Sequence, residues 1–193
     1  MSQVFIDNIQ KHIHLNEDEI KVVLSVMKPK KLKKKQFFMT EGDVCQNTAF
    51  VLSGCLRSYF IDSNGFEHNL QFAIEDWWMA DMMSFTTQKP GRLNIEALED
   101  SEMLTLSRHD QLALFERCPK FEKYFRIITE NGIISTQNRL LDNLSLPAME
   151  RYQNFSKKYP MLLQRLPQIQ IAAYLGMTPE FLSKIRHQMS KQA

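Results

Sequence analysis

The side chains best suited to chemistry lie near the C-terminal end of the sequence, around Leu175-Gly176-Met177-Thr178-Pro179. Gly176 is expected to end one helix, because a sharp turn after a helix needs a residue that tolerates positive φ. Thr178 is expected to cap the next helix and Pro179 to occupy its first position, since these residue types favour those places. The pattern predicts a helix-turn-helix, a motif whose second helix reads bases in the major groove of DNA.

The outward side chains of the predicted second helix have the chemistry that DNA recognition needs. Thr178 and Ser183 can donate hydrogen bonds to phosphate oxygens, and the positive amide end of the helix suits the same anion. Glu180 can accept from the amino group of cytosine, and Lys184 can reach guanine. The residues predicted to bind DNA are Gln168, Thr178, Pro179, Glu180, Ser183, Lys184, Arg186 and His187.

The apolar residues of this segment have the spacing that two packed helices require. The inward set is expected to contain Ile171, Ala172, Leu175, Ile185 and either Phe181 or Leu182. A helical hairpin without any role in DNA binding would have the same caps and the same core. The caps and the core therefore do not distinguish between these two interpretations.

The distribution of charge favours DNA binding, although the net charge of the whole chain is only +2. Residues 1–119 contain 13 Lys and Arg against 17 Asp and Glu, whereas residues 120–193 contain 11 against 5. A basic part joined to an acidic part is typical of a protein that brings only one end to a polyanion.

The secondary structure predicted before this C-terminal segment begins with helices and continues as short strands. Asn16, followed by three acidic residues, predicts the start of a helix. From Leu32–Met39 to Glu102–Leu106 the sequence contains short β-type runs separated by turn residues, and Asn64-Gly65 is a strong hairpin signal. We therefore predict an α+β fold in which an N-terminal antiparallel β-roll of jelly-roll type has flanking helices and precedes an all-α helix-turn-helix domain.

A long helix is predicted between the β-roll and the C-terminal helices. It begins at Pro119 and continues to about Leu144, and Ile127, Ile134 and Leu141 recur every seven residues. This repeat favours a helix that pairs with a second copy of the chain. The alternative is a helix that covers the β-roll of its own chain. The predicted domains are residues 1–118 for the sensor, residues 119–145 for the dimerisation helix and residues 146–193 for the DNA-binding part.

In this arrangement the sequence resembles the Crp/Fnr family of transcription regulators along nearly its whole length. The resemblance rests on Thr40-Glu41-Gly42-Asp43, on Phe50-Val51-Leu52-Ser53-Gly54 with Leu56-Arg57, and most specifically on Leu175 to Ile185. It implies a homodimer that binds double-stranded DNA at a palindromic operator, with RNA polymerase as a further expected partner. The half-sites would lie roughly 34 Å apart, which is one turn of the duplex. The N-terminal residues lack the basic start and apolar stretch of a signal peptide, so we expect a cytoplasmic location.

The ligand motif of the family is eroded in this sequence. In relatives that bind cyclic nucleotides, a Gly-Glu-Leu segment grips the ribose, and an Arg followed by Ser or Thr holds the phosphate. The matching residues, which are the predicted ligand-binding residues, are Asp81, Met82, Arg92 and Leu93. Asp81 is one methylene shorter than Glu, and Leu93 has no hydroxyl group. The eroded motif argues against a cyclic nucleotide, and the β-roll is expected to be one that senses, or once sensed, a small molecule of unknown identity.

Other classes of function fit the sequence less well. A cupin-type enzyme needs a His-x-His pair, whereas His68 is the only histidine in the β-type region up to Leu106, and an iron–sulfur sensor needs four thiolates, whereas the chain has three cysteines. We expect no enzymatic activity, no cofactor and no association with a membrane. The remaining alternative is a signalling adaptor that binds a cyclic nucleotide or another small molecule without binding DNA.

Overall fold

The computed structural model describes residues 2–191, and these form two compact units. The first unit contains the chain up to Phe60 together with Leu70–Glu130. The second contains Ile61–Asn69 and the chain from Asn131 onwards. The helices are α1 (Ser2–Gln10), α2 (Glu17–Val26), α3 (Met82–Thr87), α4 (Arg108–Arg117), α5 (Pro119–Ser145), α6 (Ala148–Lys158), α7 (Pro160–Arg165), α8 (Gln168–Leu175) and α9 (Pro179–Ser190).

The strands of the first unit form two four-stranded antiparallel sheets. The strands are β1 (Lys28–Leu32), β2 (Phe37–Met39), β3 (Asn47–Ser53), β4 (Leu56–Ile61), β5 (Glu67–Ala73), β6 (Trp78–Met79), β7 (Asn94–Ala97) and β8 (Ser101–Ser107). One sheet has the order β1-β8-β3-β6 and the other β2-β7-β4-β5. Buried apolar residues from both sheets, among them Val51, Leu56, Ile95 and Met103, form one core cluster. The predicted α+β fold with an antiparallel β-roll is therefore confirmed.

Two local features of the roll differ from the prediction. The single predicted run Leu32–Met39 is divided between β1 and β2, because the chain turns at Lys35, whose φ is +69°. The short helix α3 was not predicted, since six residues are too few to show a helical period. Asp81 caps this helix, so a side chain that resembles part of a ligand motif also has a structural role.

Aromatic side chains join the flanking helices to the roll within the first unit. Phe5 of α1 packs against Phe50 of β3 with ring centroids 4.9 Å apart. The indole N–H of Trp78 donates to the hydroxyl of Tyr124 on α5 over 2.9 Å. Tyr124 is fully buried, as is Phe121. The first part of α5 therefore covers its own β-roll, as one of the two interpretations of this helix required.

The capping signals near the start of the chain are confirmed. The Asn16 side chain accepts from the backbone N–H of Glu19, and the Glu19 carboxylate accepts from the backbone N–H of Asn16, both over 2.9 Å. This reciprocal pair satisfies two amides that α2 leaves without helical partners. Asn64-Gly65 lies in the tight β4–β5 turn, where Gly65 has a φ of +83°.

The second unit is built from the last part of α5, helices α6 to α9 and the tip of the β4–β5 hairpin. Its buried apolar residues are Tyr152, Phe155, Leu162, Leu166, Ile171, Ala172, Leu175, Leu182 and Ile185. The side chain of Asn69, at the hairpin, donates to the backbone oxygen and the side-chain oxygen of Gln170 over 2.9 Å. Within residues 2–191, no helix is both long and apolar enough to span a bilayer.

We predict that Gly54→Ala destabilises the β-roll by about 3 kcal/mol or more, because it combines backbone strain with a steric clash. Gly54 has a φ of +95°, and an added Cβ would lie 2.6 Å from the carbonyl oxygen of Asp100. Gly65→Ala is the matched control, since Gly65 has a similar φ but no atom within 4 Å of the added carbon. It should cost only about 1–2 kcal/mol. Urea unfolding followed by tryptophan fluorescence measures both values, and equal losses would contradict the steric part of the argument.

Candidate functional site

Helices α8 and α9 meet at a turn that Gly176 makes possible. Gly176 has φ 65° and ψ 43°, which is the left-handed conformation, and its N–H donates to the carbonyl of Ala172. The backbone N–H of Met177 also donates to Ala172, over 3.0 Å. Thr178 then caps α9, because its side-chain oxygen accepts from the backbone N–H of Phe181 over 3.2 Å. The predicted end of one helix and start of the next are both confirmed.

The facing sides of the two helices carry the predicted apolar residues. Ile171, Ala172 and Leu175 of α8 are buried, and so is Ile185 of α9. Of the two candidates on the first turn of α9, Leu182 is the buried one, whereas Phe181 is 49% exposed. The buried side of α9 is therefore defined by Leu182 and Ile185, which leaves the opposite side to solvent.

Most of the residues predicted to bind DNA are exposed on α9. Glu180, Ser183, Lys184, Arg186 and His187 are exposed along α9, as is its cap, Thr178. Pro179 is half-buried at the first position of the helix, and Gln168 is exposed at the start of α8. The structure thus places eight predicted side chains on two consecutive helices, with seven of them exposed. Whether they bind DNA stays a prediction.

Two arginines that were not predicted as functional residues donate hydrogen bonds to the last backbone oxygens of α8. Arg139 of α5 donates through Nη2 to the backbone oxygen of Tyr174, and over 2.8 Å to that of Asn69. Arg151 of α6 donates through Nη1 to the backbone oxygen of Leu175 over 2.8 Å. Both arginines therefore satisfy carbonyls that the last turn of a helix cannot pair. A half-buried arginine of this kind gives no sequence signal, because its partners are distant along the chain.

Burial changes the protonation properties of this cluster. It lowers the pKa of Arg139 from its ordinary value, although Tyr174 and Tyr159 partly oppose the shift. It raises the pKa of Tyr174 to about 12, against the effect of the Arg139 guanidinium, which lies 3.7 Å from the centre of the Tyr174 ring. Since an arginine pKa starts far above neutrality, the guanidinium remains charged while Tyr174 remains neutral.

The predicted ligand-binding residues lie at α3 and at the turn before β7. Asp81 is 3% exposed, and one carboxylate oxygen accepts from the backbone N–H of Ser84 over 3.0 Å. The other accepts from the backbone N–H of Arg92 over 3.3 Å. The structure therefore brings Asp81 and Arg92 together, but the carboxylate is occupied by backbone amides of its own chain.

The other residues of this segment differ in exposure. Met82 is 42% exposed, Arg92 is exposed and Leu93 is half-buried. The Arg92 guanidinium makes no ion pair within residues 2–191. Nearby, burial raises the pKa of the Cys45 thiol. Within the same residues, no group of three His, Cys, Asp or Glu side chains has an arrangement suited to a metal ion.

The β-roll region of the chain matches a known protein family. Residues 29–118 match the family model of the cyclic nucleotide-binding domain. No curated protein is a detectable sequence relative of the chain. The chain therefore contains a domain of the cyclic nucleotide-binding type, in the same place as the predicted sensor.

Solved structures extend the similarity beyond that domain. The catabolite activator protein of Thermus thermophilus is 23% identical, with 92% of this chain and 85% of that chain covered and a TM-score of 0.59. FixK2 of Bradyrhizobium japonicum is 20% identical, with 86% of each chain covered and a TM-score of 0.72. The c-di-GMP-responsive global regulator CLP of Xanthomonas campestris is 12% identical, with 92% and 93% covered and a TM-score of 0.72. At these identities the comparison shows a shared fold, that of Crp/Fnr-type regulators.

We predict that Thr178→Ala lowers the stability of α9 by about 1 kcal/mol, because the N–H of Phe181 loses its acceptor. Thr178→Ser keeps the hydroxyl and is the matched control, expected to cost much less. Both tryptophans lie in the other unit, so amide hydrogen exchange of α9 is the measurement to use. Equal exchange rates in the Ala and Ser variants would contradict the role of the cap.

Proposed function

We propose that the chain is a DNA-binding transcription regulator of Crp/Fnr type that acts as a homodimer in the cytoplasm and has no enzymatic activity. The observation that carries the proposal is the two-sided character of α9. Leu182 and Ile185 fix one side in the core, while Glu180, Ser183 and Lys184 project from the other. A short, capped helix with an exposed polar face suits the major groove, which admits an α-helix.

Charge supports a polyanion as the partner of the C-terminal part. Residues 120–193 have six more basic than acidic side chains, whereas residues 1–119 have four more acidic than basic ones. Neutralising phosphates releases counterions, and this makes binding strongly dependent on salt.

An apolar stripe on α5 supports the homodimer. Its exposed side chains are Ile133, Ile134, Leu140, Leu141 and Leu144. They recur at intervals of three, four and seven residues, which places them on one face of the helix. Leaving such a stripe in water is unfavourable by about 25 cal/mol per Å² of apolar surface. A second α5, packed against the first, would cover both stripes and place two α9 helices on a palindromic operator.

The β-roll is proposed to bind a small effector other than a cyclic nucleotide. The Asp81 carboxylate is buried and accepts from the backbone N–H groups of Ser84 and Arg92, which disfavours a contact with a ribose. Leu93 supplies no hydroxyl beside Arg92. Asp81, Met82, Arg92 and Leu93 remain the proposed ligand-binding residues, with Arg92 as the group that attracts an anion. RNA polymerase is the further proposed partner.

The proposal is tested by selecting bound fragments from fragmented genomic DNA with the purified protein. We expect a palindromic motif to be enriched, with affinity that falls steeply between about 50 and 200 mM salt. Calorimetry with cyclic AMP and cyclic GMP on the same sample distinguishes this regulator from a signalling adaptor that binds a cyclic nucleotide but not DNA. Cyclic nucleotide binding without any preference among duplexes would favour the adaptor and overturn the proposal.

We predict that Lys184→Ala and Glu180→Ala each weaken discrimination at the contacted base pair by about 1–3 kcal/mol, since each variant removes a base-edge contact. Lys21→Gln is the control for loss of positive charge, because Lys21 is exposed on α2, outside the proposed interface. It should leave the preferred motif unchanged. Binding to libraries of operator variants gives the discrimination energies. An unchanged motif in both α9 variants would contradict their assignment to base recognition.

We predict that Leu141→Glu raises the dimer dissociation constant by about 30-fold or more, because a carboxylate would be buried in the apolar interface. Leu112→Glu is the matched control, since Leu112 of α4 is exposed but lies outside the stripe. Sedimentation velocity over a range of concentrations gives the constants. Identical behaviour of the two variants would show that the stripe is not the interface.

A further inference from the structure

The second unit contains a cavity that the proposed function does not use. Its volume is about 430 Å³, and it lies between the last part of α5, helix α6 and the end of α8. Cavities that bind small molecules commonly have volumes of about 300–1,000 Å³. The predicted ligand-binding residues belong to the other unit, so this cavity is separate from them.

The charged side chains around the cavity are predominantly basic. They are Arg139, Arg151, Lys157 and Lys158, with Asp142 as the single acidic side chain among the lining residues. The Asp142 carboxylate accepts a hydrogen bond from the Asn154 amide over 3.2 Å. Four positive charges against one negative charge leave an excess of three. Such a concave, positively charged surface attracts anions.

The hydrogen bonds of Arg151 leave two of its nitrogen atoms for an anion that has two oxygens. Its Nη1 atom is engaged, since it donates to Asn143 Oδ1 over 3.2 Å and to the Leu175 carbonyl over 2.8 Å. Its Nε atom is buried and has no hydrogen-bond partner among residues 2–191, and Nη2 makes no hydrogen bond with those residues either. The N–H groups of Nε and Nη2 are parallel and form the fork that binds two oxygens of a phosphate or carboxylate.

The hydrogen bonds from the two arginines to α8 do not explain why lysines also line the cavity. Those hydrogen bonds use Nη1 of Arg151 and Nη2 of Arg139. Lys157 contributes nothing to them and is exposed, without a hydrogen bond or ion pair in the described part of the chain. Lys158 donates to the hydroxyl of Ser135 over 3.0 Å, and it also borders the cavity. Both lysines lie in the last turn of α6, where positive charge also suits the helix dipole, so the assignment of an anion depends on the free edge of Arg151.

We infer that this cavity binds a small phosphorylated molecule, with the phosphate on the Nε–Nη2 edge of Arg151 and with Lys157 beside it. The cavity volume suits a nucleoside monophosphate, and Tyr159 and Tyr174 offer aromatic surface to the remainder of the ligand. A bound ligand would join α5, α6 and the end of α8, the helix that precedes α9. The inference does not require that α9 binds DNA.

The test is calorimetry of the full-length protein in phosphate-free buffer of low salt, with inorganic pyrophosphate, AMP and uncharged adenosine as probes. We expect pyrophosphate and AMP to bind and adenosine not to bind. Arg151→Lys keeps the charge and a donor for Leu175 but loses the fork, so it should weaken binding by about tenfold or more. Lys157→Gln should weaken it several-fold. The control is Lys21→Gln, which removes an equal charge far from the cavity in sequence and should bind as the unaltered chain does.

Several outcomes would overturn the inference. Absence of binding for both charged probes at millimolar concentration is one, and binding that Arg151→Lys leaves unchanged is another. Loss of AMP binding in Arg92→Gln but not in Arg151→Lys would assign the ligand to the β-roll. If the charged probes fail and Arg151→Lys weakens binding to random duplex DNA instead, the cavity is part of the DNA interface. Circular dichroism and melting temperature establish that each variant is folded.

Discussion

The second unit depends on the capping of one helix end. The last carbonyls of α8, on Tyr174 and Leu175, have no partners within the helix, and an unsatisfied carbonyl there would be costly. Arg139 from α5 and Arg151 from α6 satisfy them, and so three helices meet at one point. Gly176 follows immediately and starts the turn to α9, whose Leu182 and Ile185 are buried in the same unit.

Asp81 of the β-roll has a structural role in this chain. Asp81 lies where the resemblance to Crp/Fnr regulators places a ribose-binding carboxylate, yet it caps α3 and accepts from the backbone of Arg92. The Asp81 side chain is one methylene shorter than that of Glu, and its oxygens are used by nearby amides. The match of residues 29–118 to the cyclic nucleotide-binding domain therefore concerns the architecture.

Helix α5 combines two kinds of surface that require different explanations. Phe121 and Tyr124 are buried against the chain's own roll, whereas Leu140, Leu141 and Leu144 are exposed. The first part of the helix covers the roll of its own chain, and pairing with a second copy is proposed for the later part. The basic residues that line the cavity begin in the later part and continue into α6, where the chain also becomes basic.

The sequence by itself determined the features that depend on neighbouring residues. Gly176, Thr178 and Pro179 predicted the turn and both helix ends, since capping acts within about four residues. Strand spacing predicted the roll, but not the break at Lys35 or the six-residue α3, because both are too short to alter a periodic pattern. The tertiary structure alone decided that Leu182, not Phe181, is buried, and that Arg139 and Arg151 converge on α8. These outcomes depend on partners up to 70 residues away along the chain, and local propensity contains no information about such contacts.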